Sequence, residues 1–111
     1  MKAKRVIFSL LLMLSSLTGG AYSFMVDSIC YKILSNTDTE KTVAVTANDG
    51  RYNSFRYSGD IVIPSTVTFA GTTYNVTEIA WYAFYLCSDL TSVIIPNTIK
   101  SIGGYAFKNC I

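Results

Sequence analysis

The chain contains no histidine. That one absence removes the Ser–His–acid triad, the Cys–His pair and every histidine-based metal site. Cysteine is scarce as well. Cys30, Cys87 and Cys110 are far apart and show no C-x-x-C spacing, so they spell neither a zinc site nor a disulfide framework. Charged residues make up only 14% of the sequence. Asp38 and Glu40 fall in a polar turn and Asp49 in a loop, where solvated surface charge accounts for them. Asp60 and Glu78 are no better placed for acid–base work, and a hydrolase built on either is the weakest reading. Gly103-Gly104 precedes no Lys-Ser/Thr pair, which makes it a turn rather than a phosphate cradle. No catalytic residue, cofactor or metal ligand is expected.

Part of the positive charge belongs to a targeting pattern. Lys2, Lys4 and Arg5 precede an apolar run over residues 6–14, and small residues follow, ending in Ala21-Tyr22-Ser23. This order of basic, apolar and small residues predicts a signal peptide over residues 1–23, cut before Phe24. The apolar run is well short of the roughly 20 residues that span a bilayer, so no stable transmembrane segment is expected. Without the leader, six basic side chains face seven acidic ones. No basic stripe is left to neutralise phosphates, which excludes nucleic acid as a partner. What remains is one small domain, of a size that buries only about 60–65% of its unfolded surface.

What the sequence does have is a repeat. Tyr-Ala-Phe-Tyr-Leu-Cys at 82–87 returns as Tyr-Ala-Phe-Lys-Asn-Cys at 105–110, a step of 23 residues. Val76 and Ile99, Ile79 and Ile102, Phe84 and Phe107, and Cys87 and Cys110 keep the same step. A fixed period of 20–29 residues with Leu or Ile at set offsets marks a leucine-rich-repeat type solenoid. Each coil then supplies one short strand, here residues 92–95, with Val93 and Ile95 facing inward. Pro96 closes it, because proline has no N–H for the ladder. Phe84 and Phe107 recur with the period and are assigned to the core. Cys87 and Cys110 fall one above the other, at a spacing that permits a disulfide, but two small buried thiols filling identical niches are the expectation.

The preceding coil is longer. Ile-Val-Ile-Pro at 61–64 matches Val-Ile-Ile-Pro at 93–96, yet the offset is 32. The extra nine residues lie within 68–76, and Ala70-Gly71 between β-branched and aromatic residues predicts an inserted hairpin there. Upstream, residues 26–34 and 41–46 are two strand candidates around the polar run 35–40. A terminal repeat exposes its core unless something covers it. Residues 24–57 are therefore read as a β-hairpin cap and connecting loop, and residues 58–111 as the repeats. The fold class expected is mainly β: a solenoid of about two 23-residue coils behind an N-terminal hairpin cap.

The motifs Ala83-Phe84-x-x-Cys87 and Ala106-Phe107-x-x-Cys110, with Leu-Thr-Ser-Val-Ile-Ile-Pro-Asn-Thr-Ile-Lys-Ser-Ile-Gly at 90–103, resemble the BspA-like leucine-rich repeat family of bacterial surface proteins. The opening Val-Asp-Ser-Ile-Cys-Tyr-Lys-Ile-Leu-Ser-Asn-Thr at 26–37 and the block Tyr-x-Gly-x-Ile-Val-Ile-Pro-Ser-Thr-Val-Thr-Phe-Ala-Gly-Thr-Thr-Tyr-Asn-Val at 57–76 are similar to the N-terminal part of such proteins. The resemblance implies an exported or cell-surface protein, with adhesion or binding to host matrix or envelope proteins. Members usually carry many repeats. Ile111 falls where Ser88 stands one coil earlier, so the sequence stops where another unit would begin. The expectation is a longer protein, or a last coil covered by a partner or by self-association.

Candidate binding residues follow from what does not recur and what points outward. Trp81 aligns with Gly104, and Tyr85 with Lys108. Both aromatics suit an exposed anchor for a protein or sugar partner, and equally a packing role against the 68–76 hairpin. Asp60, Val62, Ser92 and Ile94 alternate with the inward residues and should line the outer face of the repeat strands. The leading expectation is a non-enzymatic surface module that binds protein through this repeat surface. The alternative is a purely structural cap and start of a longer solenoid.

Overall fold

The segment after Ser23 is rich in aliphatic and aromatic residues interrupted by short polar stretches. In the computed structural model, which describes residues 22–47 and 57–110, this segment forms three antiparallel strands. They are β1 (Phe24–Val26), β2 (Ile29–Asn36) and β3 (Lys41–Thr46). The predicted leader lies outside the described residues except for Tyr22 and Ser23, as does most of the connecting loop. Residues 26–34 are not the single strand expected. Asp27 and Ser28 both take positive φ (51° and 68°), and Val26 pairs with Ile29 across a two-residue turn. Two consecutive left-handed residues match the right-handed strand twist of a tight hairpin. Asp tolerates that conformation, but nothing in Asp-Ser announces it as Asn-Gly would. Ser23 is tied to the same hairpin: its N–H donates to Tyr31 O (2.7 Å) and its Oγ accepts from the Ile33 N–H (3.0 Å).

The first coil follows as β4 (Gly59–Val62), β5 (Thr66–Phe69) and β6 (Thr72–Ile79), and the second as β7 (Leu90–Ile94) and β8 (Ser101–Ile102). The described residues contain strands and turns but no helix. β5 and β6 are antiparallel around Ala70-Gly71, both at positive φ. β6 joins the cap to the coils. One edge pairs in parallel with β3, Val43 opposite Val76 and Val45 opposite Ile79. The other edge takes β5 along its first half and β8, in parallel, at Glu78 and Ile79. A run β3-β6-β8 thus stacks cap, first coil and second coil in one direction. A second side of the solenoid is the parallel pair β4 and β7, with Ile61 opposite Val93.

The repeated hexapeptide makes the third side without being a strand. Within 82–87, Tyr82 and Leu86 both have φ 61°, and Tyr105 and Asn109 repeat this at 58° and 62°. Left-handed residues cost roughly 1–2 kcal/mol each. What offsets the cost is a ladder between coils. The N–H groups of Tyr82, Phe84 and Leu86 donate to the carbonyls of Gly104, Ala106 and Lys108 at 3.3, 2.8 and 3.0 Å. Ala83 and Ala106 are buried, and the rings of Phe84 and Phe107 stack at 5.1 Å and 2°. The hexapeptide recurs because each copy is the template for the next.

The strand of the second coil runs over 90–94 rather than 92–95, and Ile95 is not buried as expected. It is 41% exposed, whereas Ile63, its counterpart one coil earlier, is 2% exposed. Ile79 and Ile102 differ in the same way, at 0% and 51%. The direction of Ile95 follows the repeat, but no further coil covers it among the described residues. The thiols follow suit: Cys87 is buried, while Cys110 is half-buried with its Sγ donating to Phe84 O.

Two aromatic residues fasten the cap to the coils. Phe24 stacks on Phe69 of the inserted hairpin (4.4 Å, 3°) and sits beside Tyr31 and Tyr74. Tyr57 lies on Phe84 at 4.7 Å, and its hydroxyl accepts from the Cys30 N–H (2.9 Å) while donating to Thr46 O (2.7 Å). Burial raises the pKa of the Tyr57 phenol and lifts the Cys30 thiol to about 11, so both stay neutral. Tyr57→Phe keeps the ring contact and strands two buried backbone groups. It should destabilise the fold by about 1–3 kcal/mol, read as a fall in Tm of roughly 4–8 °C per kcal/mol in thermal unfolding.

Candidate functional site

The six candidate residues fall into two groups on different sides of the coil. Asp60 and Val62 belong to β4, Ser92 and Ile94 to β7, and parallel pairing sets Asp60 opposite Ser92 and Val62 opposite Ile94. All four point outward, because Ile61 and Val93 between them pack against the core. Val62 and Ile94 form an exposed aliphatic pair on this face. Beside them Asp60 is held firmly. Its Oδ1 accepts from Thr91 Oγ1 at 2.6 Å and from Ser92 Oγ at 2.8 Å. These two hydroxyls hold the carboxyl below its ordinary pKa, since both bonds favour the charged form. A cleft of about 370 Å³ adjoins the face, between β4 and the cap, with Val26, Asp27, Tyr31, Ile61 and Pro64 in its lining.

Trp81 and Tyr85 stand on the turn side instead. Trp81 is 63% exposed and does not serve as packing for the 68–76 hairpin in the way that reading required. From the second coil, Gly103, Gly104 and Tyr105 lie against it. Tyr82 connects the two candidates, 6.2 Å from Trp81 and 5.0 Å from Tyr85 between ring centroids, and 5.4 Å from Tyr105. Lys108 Nζ lies over the Tyr105 ring at 4.6 Å, a cation–π contact. Tyr82, Tyr105 and Thr91 were not singled out from the sequence. The two tyrosines share the 23-residue step with true core positions, so the period alone does not mark them as outward. Their left-handed backbone turns them out. Thr91 sits one residue before Ser92, and only the β4–β7 pairing brings it to Asp60.

Among the described residues no group of three Cys, Asp or Glu side chains gathers where a metal ion could sit. Nor is any described helix long and apolar enough to cross a membrane. The two surfaces are made of hydroxyl, carboxylate, aliphatic and aromatic groups.

The parallel pairs β4–β7 and β6–β8 stack the two coils in register. Residues 51–111 match the BspA type leucine rich repeat region, a pattern of six copies. The chain belongs to the BspA-type leucine-rich repeat family. A leucine-rich repeat protein from Bacteroides ovatus is similar at 34% identity and a TM-score of 0.62, over 80% of this chain and 21% of that one. One from Bacteroides capillosus gives 31% and 0.60, over 78% and 57%. A leucine rich cell surface protein from Faecalibacterium prausnitzii gives 33% and 0.56, over 78% and 21%. The chain thus spans about a fifth of two of these proteins and just over half of the third. No curated protein sequence matches it significantly.

The Asp60 cluster can be checked directly. The side-chain carboxyl of Asp60, followed by carbon-detected NMR over a pH titration, should titrate below an ordinary aspartate. Ser92→Ala should move its midpoint upward, because one of the two bonds to the charged form is gone.

Proposed function

We propose that this chain is a protein-binding segment of an exported cell-surface protein, in contact with its partner through the outer face of β4 and β7. The observation that carries the reading is the pairing of Val62 with Ile94, two exposed aliphatic side chains held in register beside a fixed carboxylate. Isolated exposed aliphatics are ordinary, but adjacent ones on a rigid sheet with an oriented charge have the make-up of an interface core and its rim. Repeat proteins present such surfaces along the stack, and each added coil would lengthen the strip. Export rests on the basic-apolar-small leader pattern, with removal after Ser23, and a surface location also on the description of the Faecalibacterium relative. The partner class is a host matrix or envelope protein.

Ile94→Asp places a charge in the middle of the strip and leaves the core untouched. Against a set of immobilised extracellular-matrix and envelope proteins, any partner bound by the native protein should bind the variant at least about tenfold more weakly, a loss of about 1.4 kcal/mol. Tm should stay the same. Equal binding by the variant would remove this face from the interaction.

A second reading, that the segment serves as the cap and start of a longer stack, is favoured by the exposure of Ile95 and Ile102 and by half-buried Phe107 at the end of the second coil. The N–H groups of Tyr105, Phe107 and Asn109 have no backbone partner among the described residues, whereas Tyr82, Phe84 and Leu86 have one each. A third coil copied from residues 88–110 and joined to the end should bury these groups and raise Tm by several degrees. Analytical ultracentrifugation of the unextended protein decides whether self-association already covers that end.

A further inference from the structure

The Trp81 corner has features that neither stacking nor the β4–β7 face accounts for. Every recurring residue of the hexapeptide has a task between coils, but Trp81 has no counterpart, because the second coil carries Gly104 there. The second coil is shaped around it. A Cβ on Gly103 would lie 2.5 Å from the Trp81 backbone nitrogen and 2.8 Å from its Cδ1, and one on Gly104 would lie 3.3 Å from Cη2 and Cζ3 of the indole. Two adjacent bare positions thus form a shelf under the ring. Tyr105 stands at its edge, 6.3 Å away and at 84°, as a wall at a right angle to the indole. Tyr82 and Tyr85 continue the aromatic surface.

We propose that this corner binds a neutral oligosaccharide, with one pyranose ring stacked on Trp81 and its rim hydroxyls against the phenols of Tyr82, Tyr85 and Tyr105. The chemistry matches on three counts. An aromatic face is electron-rich, and the axial C–H bonds of a β-linked pyranose present a flat, slightly positive face to it. The phenol hydroxyls of these tyrosines make no hydrogen bond among the described residues, so they are available as donors and acceptors to equatorial sugar hydroxyls. The cluster includes no carboxylate, and its cation, Lys108, is taken up by the Tyr105 ring. The polar complement is therefore hydroxyl rather than charge, which fits a polyhydroxy ligand better than a phosphate or a charged peptide. A few placed polar groups around an apolar contact are how small-molecule sites fix orientation.

Trp81 is the single tryptophan of the chain, so its own emission reports the site. Titration of the purified protein with cellohexaose or chitohexaose should produce a saturable blue shift with at least one of them. By calorimetry, Trp81→Ala should weaken that binding at least about tenfold. Trp81→Phe keeps a ring on the shelf and should give a smaller loss, and it decides the matter if the alanine variant does not fold. Ile94→Asp, on the other side of the coil, should leave the sugar titration unchanged, which separates failure here from failure of the protein-binding reading. No saturable shift with either sugar up to about 10 mM would overturn the proposal. So would undiminished binding by both Trp81 variants, or an emission shift on concentrating the protein alone, which would make the corner a contact between copies.

Discussion

The fold depends on the parallel pairing of β3 with β6. A solenoid coil has two open faces, and its strands carry unpaired N–H and C=O groups toward the neighbours on each side. An antiparallel hairpin is the simplest unit that can form locally, yet its strands run in opposite directions. The cap resolves this by offering only β3 to the coils, in the direction that β6 and then β8 share. Val43 and Val45 of the cap meet Val76 and Ile79 of the first coil, and all four are buried. Once β6 is placed, the 23-residue step sets β8 beside it and Phe107 against Phe84.

A strand pair alone would leave the cap free to hinge on the coil. Phe24 and Tyr57 prevent that from two sides. Phe24 reaches from β1 to Phe69, which gives the nine inserted residues of the first coil a purpose: they widen the sheet that the cap must cover. Tyr57 comes from the end of the connecting loop and bridges Cys30 and Thr46 through one hydroxyl while its ring rests on Phe84. A single buried phenol therefore links the hairpin ladder to the hexapeptide turn. Its burial without charge is consistent with the pKa of its neighbour Cys30, also raised by desolvation.

The architecture was legible in the sequence where one residue type had one physical reason to recur. Ile and Val at fixed steps, Ala beneath Phe, and Pro96 after a strand each admit little else. Period-two alternation around Val93 was enough to place Asp60, Val62, Ser92 and Ile94 on the outside. Other features are set by tertiary contacts that no local pattern encodes. The turn at Asp27-Ser28 uses residues of weak preference, and the role of Tyr57 appears only when Cys30 and Thr46 are paired. Ile95 has the sequence of a core residue, and only the extent of the stack decides its exposure. Trp81 and Tyr85 stand out because they break the period, but the contacts of Trp81 with Gly103, Gly104 and Tyr105, 22 to 24 residues away, escape any window of adjacent positions.

The repeat itself separates structure from function. A residue that recurs at 23 is constrained by the coil above and the coil below, so replacing it alters two interfaces at once. Phe84 cannot change without leaving Phe107 and Tyr57 poorly packed. A residue that breaks the period has no such duty. Trp81 opposite Gly104 and Tyr85 opposite Lys108 are the clearest breaks in the second half of the chain, and they meet through Tyr82 in one exposed cluster. The outer face of β4 and β7 is the complementary case, in which Asp60 and Ser92 differ in type but act together through a hydrogen bond. In both places the side chains are positioned by a backbone that the buried residues already hold rigid. Change at these positions alters what the surface contacts without reopening the stack, and it is there that members of such a family can diverge in partner while keeping one fold.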